Sequence, residues 1–246
     1  MKVLGVIPAR YRSTRLEGKP LANILGKPMI RYVYEAACKA TSLSDVVVAT
    51  DDERIAHAVR QFGGEAVMTA MDHASGTDRV AEVARERDAA IVVNIQGDEP
   101  LIQPRMIDEC VEALRHSGGA GLSTVMKRIS EEAFHDPGVV KVVCDARGRA
   151  LYFSRSLIPY PRARTGDFAV FEHIGLYAYT RECLLRLAAL PPARLELIEG
   201  LEQLRALESG ITIQVVETQC GGDLISVDTA EDLERVRAIV AAGVCN

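Results

Sequence analysis

The chain has 246 residues, 48% of them hydrophobic, with a net charge of −5 and no tryptophan. That length suits one large α/β domain, or one with a sizeable insertion, and its core needs no staples. The acidic balance argues against a nucleic-acid partner, the missing Trp against a base-stacking platform, and no apolar run is long enough for a membrane span.

The first element is a short buried parallel strand around Val3, Leu4, Val6 and Ile7, ending at Pro8. A loop follows that carries Arg10, Arg12, Arg15 and Lys19. Four cations so close together repel one another, and a loop of this kind expects a dense anion such as a triphosphate. The alternative is a solvated basic loop. The position behind a first buried strand, where open α/β sheets place ligands, favours the anion. Ala9, Ser13 and Gly18 are small enough for backbone N–H groups to approach phosphate oxygens. Arg10 and Arg12 also interrupt the N-terminal apolar stretch, so no signal peptide is expected.

Next come a second strand at residues 45–50 and a helix at 52–62, stopped by Gly63-Gly64. A third strand spans 65–68. A helix at 78–87 follows, with Thr77 as the expected N-cap. A fourth strand spans 90–96, and a helix with Pro104 in its first turn spans 104–116. This βαβα order predicts a Rossmann-like, mostly parallel sheet with helices on both faces. The second half is richer in strands: 121–127, 139–145, 150–155 and 173–179. Helices at 181–190 and 197–208, a strand at 211–217 and a closing helix at 229–242 complete the chain. Asp228 or Thr229 can cap that last helix. The expected division is a nucleotide-binding half (1–120), a strand-rich insertion (121–210) and a returning strand with closing helix (211–246).

Asn94-Ile95-Gln96-Gly97-Asp98-Glu99-Pro100 is the second chemical signal. It delivers Asp98 to the C-terminal end of a buried strand. A carboxylate there, facing a polyphosphate, suits Mg²⁺, which shares oxygen ligands with phosphates. A turn aspartate capping the next helix is the alternative. Asp228 has the same ambiguity between a ligand and a cap. His173, Gly175 and Tyr177 alternate along one strand face, with Ile174, Leu176 and Ala178 on the other. His and Tyr can bond sugar hydroxyls; a half-exposed strand is the competing reading. Arg155 could fork a substrate carboxylate. Six scattered cysteines without a C-x-x-C are expected to be unpaired, with Cys220 and Cys245 exposed.

The stretch P-A-R-x-x-S-T-R-L-x-x-K-P-L (residues 8–21) resembles the signature loop of sugar nucleotidyltransferases. Its wording, together with "FSRSLIPYPR", "HIGLYAY" and "LEQLR", looks most like the 3-deoxy-manno-octulosonate (Kdo) cytidylyltransferases. Neither a Walker A loop nor a Rossmann glycine fingerprint is present. One departure is Glu17, where relatives often carry Pro; its side chain is expected to point away from the phosphates. The resemblance covers about residues 2–240. It implies CMP transfer from CTP to Kdo for lipopolysaccharide synthesis in a cytoplasmic homodimer, with Mg²⁺ on Asp98 and Asp228. It further implies Arg10, Lys19 and Asp98 in catalysis. Pro8, Ala9, Arg10, Ser13, Lys19, Thr50, Ser75, Gly76, Arg79, Gln96 and Asp98 are expected about the nucleotide, and Arg15, Arg155, His173, Tyr177, Glu202 and Gln203 about the sugar. A synthetase for another acidic sugar, such as sialate, and a non-catalytic nucleotide-sensing domain are the alternatives. Tyr152, Phe153, Phe168 and Phe171 are the expected apolar dimer patch.

Overall fold

In the computed structural model, which describes residues 1–12, 16–162, 168–222 and 224–243, the N-terminal apolar run becomes strand β1 (Val3–Ala9). It pairs in parallel with β4 (Asp45–Thr50) on one side and β6 (Ile91–Asn94) on the other, and β4 pairs in parallel with β5 (Ala66–Met68). Val6, Ile7, Val47, Val48, Val92 and Val93 are completely buried, as befits strands covered on both faces. Helix α2 (Glu53–Gln61) packs on β4 and β5, and α3 (Gly76–Glu86) on β1 and β4. The chain divides into two units, Met1–Asp108 with Cys220–Asn246, and Glu109–Gln219.

No element is predicted between Leu21 and Asp45. The structure has a small hairpin there, β2 (Asn23–Ile24) and β3 (Lys27–Pro28), then helix α1 (Met29–Lys39). Met29, Ile30, Val33 and Ala37 form its buried stripe against β1 and β4. Its start lacks the usual signals: Pro28 holds the N-cap and no acid sits in the first turn. Helix α3 begins earlier than predicted, because Ser75 is the cap. Its Oγ accepts from Asp78 N–H at 3.1 Å while Asp78 Oδ2 accepts from Ser75 N–H at 3.0 Å. Helix α4 (Pro104–Arg115) matches its prediction. The closing helix α8 (Ala230–Ala241) is capped by Thr229 through the same reciprocal pair with Asp232, so Asp228 is spared for another role.

In the second unit β7 (Leu122–Arg128) pairs in parallel with β11 (Ile213–Glu217) and antiparallel with β10 (Phe171–Thr180). The hairpin of β8 (Lys141–Cys144) and β9 (Ala150–Ser154) joins β10 through β8. The β10–β7 register shifts between Ile174 and Tyr177, an irregularity in an otherwise continuous antiparallel pairing. Lys141, fully buried, donates from Nζ to the carbonyls of Asp136, Val139 and Arg155 at 2.6–2.8 Å. Helix α5 (Arg181–Ala188) follows β10. The single helix predicted at 197–208 is two, α6 (Arg194–Glu199) and α7 (Gln203–Glu208), broken where Gly200 adopts φ 64°. The unit boundaries at 108/109 and 219/220 differ from the expected 120/121 and 210/211: β11 goes with the second unit because it pairs with β7.

The expected α/β class, with a mostly parallel sheet, helices and a smaller strand-rich part, is the fold observed. Among the described residues Cys38, Cys110, Cys144, Cys183 and Cys220 are free thiols. The exposed one is Cys38, not Cys220; Cys245 lies outside the described residues.

Candidate active site

At the C-terminal end of β1 the first unit opens into a cleft of about 450 Å³. Its wall includes Pro8, Ala9 and Arg10 from the end of β1, Gln96, Gly97 and Asp98 from the turn after β6, and Gly76 from the start of α3. The turn after β6 is held close to β1: Ile95 N–H donates to Val6 O at 3.0 Å. A Cβ on Gly97 would lie 2.8 Å from Pro8 O, so only glycine fits this approach. Val227 N–H donates to Asp98 O at 2.9 Å. That one bond brings the segment before α8 beside the turn after β6, which sequence spacing could not foretell.

Three charged groups meet there. Lys19 follows Gly18, whose φ of 66° turns the chain into a short 3-10 segment. Lys19 Nζ lies 2.7 Å from Asp98 Oδ2 and 3.2 Å from Asp228 Oδ1. One ammonium between two carboxylates leaves a negative excess, and both oxygens already face a cation. Two carboxylates completed by phosphate oxygens and water are a donor set that suits Mg²⁺. Among the described residues no cluster of three or more His, Cys, Asp or Glu forms a self-sufficient metal cage. Arg10 Nη2 is buried yet has no hydrogen-bond partner. A buried unpaired donor costs about 1–3 kcal/mol, more if charged, and it is offset when an anion arrives. Arg12, exposed, lines the same cleft; it was named among the loop cations but not assigned to the site.

Other predicted nucleotide contacts fall elsewhere. Arg79 is completely buried: Nη2 meets Asp51 Oδ2 at 2.9 Å, and Nη1 donates to Thr69 Oγ1 and to Ala70 O. It braces the β5–α3 loop from within. Thr50 is buried at the end of β4, its Oγ1 accepting from Asp52 N–H. The Ser75 hydroxyl is engaged as a helix cap. None of these three lines the cleft. Ser13 and Arg15 lie outside the described residues.

Arg15 aside, the sugar-side expectations, Arg155, His173, Tyr177, Glu202 and Gln203, fall in the second unit. His173 is buried, not half-exposed; its ring meets Phe153 edge-on at 5.0 Å and Tyr177 at 5.3 Å. Its Nε2 lies 3.0 Å from Thr124 Oγ1, which also contacts Leu176 O at 2.8 Å. A carbonyl cannot donate, so the one hydroxyl proton goes to Leu176 O. Nε2 is then the protonated nitrogen. Burial pushes the His173 pKa down to about 3. Burial, with the charges of Glu202 and Cys110 adding to it, holds the Tyr177 phenol well above its usual value. Gln203 is buried, and its Nε2 has no hydrogen-bond partner. Arg155 corrects an expectation. Nε donates to Glu199 O at 2.8 Å, Nη1 to Pro137 O at 2.9 Å and Nη2 to Gly200 O at 3.5 Å. Its guanidinium ties the end of α6 to the Pro137 loop instead of presenting a fork to a carboxylate. The expected dimer patch also changes. Phe153 is core, and among the described residues of this unit Leu151, Tyr160, Leu197 and Ile198 are the large apolar side chains left exposed.

A cytidylyltransferase family profile matches residues 4–213. Similar proteins include the 3-deoxy-manno-octulosonate cytidylyltransferase of Geobacter sulfurreducens, 51% identical over 249 residues that cover 96% of this chain and 98% of the relative. That of Syntrophobacter fumaroxidans is 53% identical over 248 residues, 98% of each chain. A solved structure of CMP:2-keto-3-deoxy-manno-octonic acid synthetase complexed with CTP matches with a TM-score of 0.94 at 46% identity, covering 99% of this chain and 100% of that one. A cytidylyltransferase from Leptospira borgpetersenii shares the fold alone, with a TM-score of 0.65 at 18% identity. By profile, relatives and fold together, the chain belongs to the cytidylyltransferase family, among its 3-deoxy-manno-octulosonate members.

Proposed function

We propose that this protein transfers CMP from CTP to 3-deoxy-manno-octulosonate, releasing pyrophosphate and supplying the activated sugar for lipopolysaccharide synthesis in the cytoplasm. The observation that carries the reading is the convergence of Lys19, Asp98 and Asp228 in a cleft also lined by Arg10, whose buried Nη2 lacks a partner. The activities for which the relatives are named support the substrates. The anomeric hydroxyl attacks the α-phosphorus in line and pyrophosphate leaves. Such transfers depend on positioning and charge neutralisation more than on covalent chemistry by the protein. Arg10 and Lys19 hold the polyphosphate oxygens, and the Gly97 turn lets main chain approach them.

Asp98 and Asp228 would hold Mg²⁺, which when bound neutralises phosphate charge and lowers the pKa of the attacking hydroxyl. In the second unit, neutral His173 and Tyr177, with Glu202 and the unpartnered Gln203 Nε2, supply polar groups for the sugar. Arg155 supports that region through main-chain carbonyls and makes no direct contact in this reading. No described helix is long and apolar enough to cross a membrane. The exposed Leu151, Tyr160, Leu197 and Ile198 support self-association as a dimer through the second unit.

Asp98→Asn tests the proposal. The neutral amide keeps the shape and loses the charge, so pyrophosphate release should fall by orders of magnitude and the residual rate should lose its Mg²⁺ response. A variant with the wild-type rate and Mg²⁺ dependence refutes the assignment.

A further inference from the structure

Tyr11 and Arg54, neither of which is assigned to substrate, make the closest cation–ring contact among the described residues. Arg54 Cζ lies 3.3 Å from the centroid of the Tyr11 ring. The guanidinium is itself fixed by a fork onto Asp52: Nε to Oδ1 at 2.9 Å and Nη2 to Oδ2 at 2.7 Å. Asp52 is the cap of α2, its Oδ1 accepting also from Arg54 N–H at 2.9 Å. The rigid start of a helix therefore presents a planar cation to Tyr11. On the loop side, Tyr11 O accepts from Gly18 N–H at 2.9 Å. A Cβ on Gly18 would stand 3.1–3.2 Å from the Tyr11 ring, so the ring packs on bare backbone, and φ of 66° at this position also suits glycine.

The two residues so joined are the sequence neighbours of the cleft cations. Arg10 and Arg12 flank Tyr11, and Lys19 follows Gly18. Lys19 is held by Asp98 and Asp228, while Arg10 and Arg12 are like charges on either side of Tyr11, so the ring contact ties the arginine segment to the lysine segment. Glu17, the departure from the family pattern, is exposed. The hydrogen bonds to Asp52, ahead of its charge, raise the Arg54 pKa above its ordinary value.

We propose that Tyr11, clamped between Gly18 and the Asp52-held guanidinium of Arg54, is a positioning residue that holds its neighbours Arg10 and Arg12, and Lys19 beside Gly18, ready for the triphosphate of CTP before CTP arrives. The proposal rests on the CTP reading above. Preorganisation lowers the ordering cost that binding must otherwise meet. Loss of the stack should therefore weaken CTP capture and spare turnover at saturation, when the nucleotide itself orders the loop.

The test uses Tyr11→Leu, Tyr11→Phe, Arg54→Ala and Arg54→Lys in the full chain. Tyr11→Leu and Arg54→Ala should each raise the CTP KM on the order of threefold, with kcat and the sugar KM near wild type. The double variant should be no worse than either single, because both remove one contact. Tyr11→Phe keeps the ring and should behave as wild type. Arg54→Lys keeps the charge but loses the planar fork, and should resemble Arg54→Ala. Trypsin provides a ligand-free readout: cleavage between residues 10 and 19 should accelerate in Tyr11→Leu and Arg54→Ala by a similar factor. A stack that merely stabilises the fold lowers the melting temperature and leaves the KM and the cleavage rate unchanged, and that result overturns the proposal. So do additive effects in the double variant, or a wild-type KM in Arg54→Lys. If the wild type fails to use CTP, the functional reading falls, while faster cleavage in the variants would still support the clamp itself.

Discussion

Acid should destabilise this protein through His173. In the fold the imidazole is buried, with Nε2–H donating to Thr124, and the pKa is pushed down to about 3 from an ordinary 6.5. The unfolded chain thus binds a proton where the folded one does not. Stability from this site is complete above pH 6.5 and is lost as pH falls toward 3. At pH 5 the unfolded imidazole is mostly protonated, about 1.5 units below its pKa, which at about 1.36 kcal/mol per unit amounts to about 2 kcal/mol. For a chain of this size that corresponds to roughly 4–8 °C in melting temperature. Comparing wild type with His173→Gln between pH 7.5 and 5 isolates the effect, since the other titrating groups are common to both. The wild type should lose about 2 kcal/mol more than the variant. In NMR, the His173 ring resonance should not titrate between pH 7.5 and 5. Equal losses, or a resonance with a midpoint near 6.5, refute the burial argument.

Arg10→Ala and Lys19→Ala should each lose most of the activity by at least tenfold while keeping the wild-type melting temperature, because loop cations serve the ligand; normal CTP binding in both would contradict the phosphate assignment. Arg79→Met should cost about 3 kcal/mol in chemical denaturation by stranding Asp51, with CTP affinity kept in the folded fraction; wild-type stability with lost CTP affinity would restore a nucleotide role. Leu197→Glu with Ile198→Glu should convert a dimer seen by light scattering into a monomer, and a wild type that is monomeric at micromolar concentration removes the dimer proposal.

What the sequence made legible was local. The buried β1, the cations behind it and the Asp98 turn could all be read from apolar runs and from Gly and Pro placement, because strand ends and phosphate loops are built from neighbours in the chain. Asp228 stayed ambiguous because its partner is 130 positions away; the Val227–Asp98 bond and the capping by Thr229 resolve it only in three dimensions. Arg79 and Arg155 mislead for one reason. An arginine in a functional-looking motif can serve a substrate or satisfy carbonyls and carboxylates of its own fold, and the motif does not distinguish them. His173 and Tyr177 do share a face, their rings 5.3 Å apart, but that face is covered: Phe153 of the β8–β9 hairpin meets the His173 ring at 5.0 Å, a long-range contact that alternation along one strand does not reveal. Helix α1 was missed because its start lacks a polar cap and acids, though its apolar stripe has helical spacing.

Pyrophosphate release with Mg²⁺ across a matrix of CTP, UTP, ATP and GTP against Kdo, sialate and no sugar tests the central claim most directly. The account predicts release with CTP plus Kdo that exceeds every other combination. Equal or faster release with sialate, or none with any pair, would contradict it.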